Sequence, residues 1–157
     1  MFKKKTLKLA LITLVSVLVL GGGIGLYLFN LPHRDIQSTN TDFKLTASQV
    51  VAEYLINGES ANEKYLDEEG ESRILEVSGS VASVTEDYNG QKVVLLQSAD
   101  DKAGVSCTFT TESNIQLMGI NPGQKISVKG VIRSGATYDE DLEMYENVIM
   151  EKCALVL

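Results

Sequence analysis

Histidine is nearly absent from this sequence, cysteine occurs twice, and basic side chains become scarce once the first few residues are passed. His33 is the only histidine, so a Ser-His-Asp set would have to draw on it, and no other residue could activate a cysteine nucleophile in the usual way. Neither a Gly-rich phosphate-binding loop nor Cys/His spacing for zinc is present. From Leu31 onward 10 Lys or Arg stand against 21 Asp or Glu, a formal charge of −11. Such a surface repels phosphate backbones and anionic headgroups. It excludes no fold, and it makes a nucleic-acid partner unfavourable.

Charge is also missing from Leu9 to Leu31, where Leu, Ile and Val dominate. About 20 helical residues cross the ~30 Å hydrocarbon core, so this run is long enough to span a membrane. Lys3, Lys4, Lys5 and Lys8 precede it. That bias predicts a cytoplasmic tail over 1–8, an uncleaved anchor over 9–31, and a C-terminal part outside the cytoplasm, in a bacterial cytoplasmic membrane. A cleaved signal peptide is the competing reading, but the apolar core is long for one and no Ala-x-Ala follows it. Gly21 and Gly25 are spaced for close helix approach and need no role beyond ordinary membrane glycines.

Residues 32–44 are polar and aperiodic, which predicts a linker. Thr46 and Gln49 then form a capping-box pattern, and Ala47, Val50, Val51, Tyr54 and Leu55 recur at helical spacing. Asn57-Gly58 ends that helix, and a second short one is predicted over Ser60–Leu66 before the charged turn at 67–71. From Ile74 the period becomes two. Its apolar parity shifts after Val81, predicting a bulge or bend that Gly79 would ease. Asp87-Tyr88-Asn89-Gly90 reads as a hairpin turn into Val93–Leu96, and Val105, Cys107 and Phe109 alternate as a third strand. A helix over Glu112–Met118, capped by Thr111, is predicted next. A strand around Ile126–Val131 follows, then a polar stretch from Ser134 to Asn147 and a last strand, Val148–Leu157. Strand, strand, strand, helix, strand, strand is the order of a five-stranded OB-type Greek-key barrel. The predicted class is therefore mainly β, with two short leading helices and one transmembrane helix before them.

The helix LTASQVVAEYLINGESANEKYL, the strands ILEVSGSVASV and GVSCTF, the stretch INPGQKISVKGV and the terminal EKCALVL resemble the tRNA-anticodon-like OB domains of bacterial secreted and membrane-anchored proteins. The resemblance runs from about Leu45 to Leu157. It implies the fold and little about activity, since the family name records likeness to the anticodon-binding barrel and assigns no ligand. The acidic insert GATYDEDLEMYEN departs from the pattern.

Cys107 and Cys153 fall on the third and fifth predicted strands, which adjoin where such a barrel closes. Outside the cytoplasm they could form a disulfide; alternatively they are two buried small hydrophobes. Asp139, Glu140, Asp141, Glu143 and Glu146 crowd one loop without the ligand order of a calcium site, and read as a solvated acidic face. The sequence therefore predicts no enzyme, cofactor or metal. It predicts a membrane-anchored extracytoplasmic binding module, meeting an envelope protein, peptide or polymer through loops that hold Tyr88, Asn89, Tyr138, Asp139, Asp141 and Tyr145. A single-stranded nucleic-acid or other oligomer binder is the alternative reading.

Overall fold

The computed structural model describes residues 35–67 and 72–156, together with 14, 16, 17 and 20–24. The chain divides into a unit over Met1–Arg34 and a second over Asp35–Leu157. In the first, the described residues are helical. Among the described residues no helix is long and apolar enough to cross a membrane. Most of the expected anchor over 9–31, and all of the tail over 1–8, lie outside the described residues.

The second unit is a closed five-stranded barrel with an added edge strand. Strand β1 (Phe43–Thr46) leads into helix α1 (Ala47–Ile56) and helix α2 (Gly58–Tyr65). Then come β2 (Ile74–Glu86), β3 (Lys92–Leu96), β4 (Val105–Phe109), a 3-10 helix (Ser113–Leu117) and β5 (Lys125–Ser134). A small hairpin, β6 (Thr137–Asp139) and β7 (Met144–Glu146), precedes β8 (Val148–Leu155). The sheet runs β1-β2-β3-β4-β8-β5 and closes through β2–β5. β2 serves two partners because it bends. Its first half pairs with β5 from Ile74 to Ser80, and its second half pairs with β3 from Val81 to Glu86. The β3 register slips between Val81 and Ser83, so the bulge residue is Ala82, which is exposed rather than core-facing. Gly79 instead permits a close approach, since a Cβ there would lie 3.1 Å from the Cβ atoms of both Ala47 and Leu96. Its bare backbone lets the start of α1 settle on the barrel.

Alternation fills the interior as the sequence predicts. Val105, Cys107 and Phe109 of β4, Val128 and Ile132 of β5, and Val148, Met150 and Cys153 of β8 are all buried in one core. α1 adds Ala47, Val50, Val51 and Tyr54 to it. The capping box forms as read: Gln49 N–H donates to Thr46 Oγ1, and Thr46 N–H donates to Gln49 Oε1 at 2.9 Å. Losing the hydroxyl strands one helix-end donor. Thr46→Ala should therefore lower the unfolding free energy by about 1 kcal/mol in a urea titration, with an unchanged m-value.

Four expectations change. The linker predicted over 32–44 gives way, from Asp35, to chain fastened to the barrel. Gln37 Nε2 donates to Lys152 O at 2.8 Å, Lys129 Nζ donates to the carbonyls of Gln37 and Thr39, and β1 pairs in parallel with Leu75–Ser78. The second helix begins at Gly58, because Asn57 both ends α1 and caps α2 through Ser60 N–H. The helix predicted over Glu112–Met118 is a shorter 3-10 turn whose N-cap position is Glu112 rather than Thr111, with no side-chain capping bond; Thr110 Oγ1, one turn earlier, accepts from Ser113 N–H. Finally, the polar stretch from Ser134 to Asn147 contains the β6–β7 hairpin.

A candidate ligand cleft walled by tyrosines

Helices α1 and α2, the loop between β3 and β4, and the β6–β7 hairpin with the residues before it line an open cleft of about 530 Å³. Tyr54, Leu55, Asn62, Lys102, Tyr138 and Tyr145 line it, together with Gly135 to Thr137. Its size falls within the roughly 300–1,000 Å³ of small-molecule sites.

Each wall is fixed by identifiable contacts. Tyr54 is in the buried register of α1, and Gly135 packs so tightly on its ring that a Cβ would come within 2.0 Å of two ring carbons. The β3–β4 loop is pinned to α1 by Ser48 Oγ, which donates to Asp101 Oδ2 at 2.6 Å, and Gln97 Nε2 donates to Asp101 O. Gly104 N–H donates to Asn147 Oδ1 at 2.7 Å, tying the same loop to the root of the hairpin. Lys102 is thereby held across from the hairpin. Its ammonium donates to Tyr145 Oη at 3.3 Å and lies 5.3 Å from the centre of that ring.

The hairpin presents Tyr138 and Tyr145 as a cross-strand pair, ring centres 4.8 Å apart and tilted by 54°. Its turn is organised by Asp139, whose Oδ1 accepts from the N–H groups of Asp141 and Leu142. Glu140, Asp141, Glu143 and Glu146 remain exposed on the hairpin.

Tyr54 Oη is the one buried side-chain polar atom without a hydrogen-bond partner among the described residues. Burial, then the neighbouring Tyr65 and Glu53, pushes its hydroxyl up to about 12. An unmade buried hydrogen bond costs stability, so Tyr54→Phe should raise the unfolding free energy by about 1 kcal/mol at neutral pH. The sign at high pH follows from the same shift. The folded value lies above the unfolded one of 10.0, so this group's stabilising contribution is complete below pH 10 and disappears as pH rises through about 12. Alkaline melting curves should lose that component in Tyr54→Phe.

The remaining sequence-derived candidates are dispersed. Tyr88 and Asn89 form the other hairpin tip, where Asp87 Oδ1 accepts from the N–H groups of Asn89 and Gln91, and Gly90 takes the left-handed conformation. Tyr88 is fully exposed. That tip adjoins the Val93–Thr108 end of the β3–β4 ladder, whereas the cleft adjoins the Leu96–Val105 end. The two predicted loops are therefore not brought together. Cys107 and Cys153 sit on adjacent strands, both buried and both free thiols. Burial first, then the Cys107 thiol, pushes the Cys153 thiol well above the ordinary range. Tyr54 and Lys102, essential to the cleft, are legible in the sequence only as a core position and a loop base.

In OB barrels that bind single strands, the ligand lies across the outward face of the second and third barrel strands. Here the outward positions on β2, β3 and β4 hold Ser83, Thr85, Val93, Leu95, Ser106 and Thr108. Phe109 is wholly buried. No aromatic ring for base stacking projects from these positions.

No curated protein matches this chain. Among solved structures, the crystal structure of the S. pombe Stn1-ten1 complex is similar at 15% identity with a TM-score of 0.35, covering 53% of this chain and 57% of that one. The chain thus spans a little over half the length of that relative. The tRNA_anti-like family model matches residues 1–140, which includes the N-terminal unit and ends inside the hairpin. With that match over most of its length, and with the barrel's strand order to support it, the chain belongs to the tRNA_anti-like family.

Proposed function

We propose that this protein is a non-catalytic binding module, held on the outer face of a bacterial cytoplasmic membrane by residues 9–31, whose ligand enters the tyrosine cleft. The cleft itself carries the reading. It is a preformed concavity walled by aromatic rings and a few polar groups, as small-ligand sites are. Its titratable side chains are three tyrosines and a lysine, with no carboxylate or histidine among the lining residues to act as acid or base near neutral pH. The uncharged run and its basic flank support the anchor and its orientation. A Cys107–Cys153 bond formed in an oxidising compartment belongs to the same reading, and a non-reducing peptide map of material from intact cells would reveal it.

An oligonucleotide competes for the role because this fold often holds one. The −11 charge and the absence of aromatic rings from the outward positions of β2 to β4 named above support a different ligand. To test the proposal, p-azidophenylalanine, a photo-crosslinking residue that keeps the aromatic ring, replaces Tyr138 in the full chain and intact cells are illuminated. A discrete adduct, together with digestion of the C-terminal part by protease added outside, is the expected result. A C-terminal part that resists protease until the cells are broken would overturn the topology, and the absence of any adduct would overturn the cleft.

A further inference from the structure

Lys102 is the only cationic side chain lining the cleft, on a surface otherwise dominated by carboxylates. Even so, none of the ion pairs among the described residues involves it. It is exposed, and the loop beneath it is tied down at Asp101 and Gly104. An ammonium has three donors, and Tyr145 Oη takes one. The others are free to meet an anionic group on a ligand. Opposite stand the tilted rings of Tyr138 and Tyr145, and the rest of the lining offers the Asn62 amide and the Thr137 hydroxyl. Ring faces beside scattered hydrogen-bonding groups suit a ligand with both C–H faces and many hydroxyls. A polyanion is disfavoured by the exposed acids of the same hairpin, Glu140, Asp141, Glu143 and Glu146, so a single negative charge fits best. A cationic ligand is disfavoured because Lys102 already occupies the Tyr145 ring.

We infer that the cleft binds a carboxylate-bearing pyranose sugar, with Lys102 pairing the carboxylate and the exposed ring of Tyr138 receiving the sugar ring. This rests on the cleft being the ligand site proposed above. Lys102 then selects acidic over neutral sugars, and Tyr138 supplies affinity for both.

The test is calorimetric titration of the full chain in detergent micelles with two disaccharides of matched size. One is N-acetylglucosamine linked β-1,4 to N-acetylmuramic acid, which carries a carboxylate; the other is neutral chitobiose. A charge-assisted hydrogen bond predicts at least about tenfold tighter binding of the acidic sugar. Lys102→Met should erase that preference, bringing the two sugars to equal affinity. Tyr138→Ala should weaken both sugars. Equal binding of the two, no binding of either at about 10 mM, or tighter binding of adenosine monophosphate would each overturn the inference. A cellular crosslink from position 138 alongside any of those results would leave the cleft as a binding site and remove only the sugar.

Discussion

Tyr65→Ala is expected to lower the unfolding free energy by about 3–5 kcal/mol, much of the stability of a domain this size. Tyr65 is wholly buried on α2 and meets Phe43 edge-on, with ring centres 5.4 Å apart and planes at 86°. Its second ring neighbour is Tyr54, at 6.1 Å. It thus joins β1, α1 and α2, the three elements that precede the minimal barrel in the described chain from Phe43. Its hydroxyl donates to Glu53 Oε2 at 2.7 Å, and Lys64 Nζ pairs with the same carboxylate at 2.8 Å. Truncation opens a cavity and removes one of the donors to Glu53. Tyr65→Phe separates the two effects: it keeps the ring and should cost only about 1 kcal/mol. Urea titrations of both variants measure the difference. If the alanine variant lost under about 1 kcal/mol, below the range for a buried aromatic, α2 would not pack on the barrel through this ring.

Gly135→Val is expected to cost about 3 kcal/mol and to abolish ligand binding at the cleft together. A Cβ at this position meets two Tyr54 ring carbons at 2.0 Å, far inside contact distance, so the ring must leave its place. Tyr54 sits in the core as well as in the cleft wall, and moving it disturbs both. The control is Gly58→Ala, also on the cleft lining, where a Cβ meets nothing within 4 Å. That variant should melt within a degree or two of the parent and keep its binding. Two melting curves and two crosslinking efficiencies decide the matter, and equal behaviour of the variants would refute the tight Gly135–Tyr54 contact.

Much of the barrel is legible in local pattern because local pattern has a direct physical meaning there. The alternation through Val105, Cys107 and Phe109 reports one buried face, and all three are buried. Thr46 and Gln49 announce a helix start because two side chains satisfy two backbone donors within four residues. Asn89-Gly90 marks a turn because glycine takes positive φ cheaply, and Gly90 adopts it.

Other elements have no local cause. β1 is four residues with alternate exposure, and its hydrogen bonds come from Leu75 to Ser78 across an intervening helix pair. Nothing in Phe43-Lys44-Leu45-Thr46 announces a partner that distant, so the stretch reads as linker. The β6–β7 hairpin is hidden for a related reason. Its strands have three residues each, and acidic side chains mask the Tyr138–Tyr145 pairing. The cleft is less legible still, because it joins a helix pair, a loop and a hairpin that are far apart in sequence.

The sequence by itself determined a five-stranded barrel order, the capped first helix, the strand faces and an acidic surface with few basic groups, because each depends on neighbours a few residues away. Tertiary structure alone decided that Tyr54, Lys102, Tyr138 and Tyr145 share one cleft, that Tyr88 lies apart from them, and that the chain from Asp35 is fastened to the barrel. Those juxtapositions arise from barrel closure, which brings distant segments together through core packing and hydrogen bonds that no short window of residues contains.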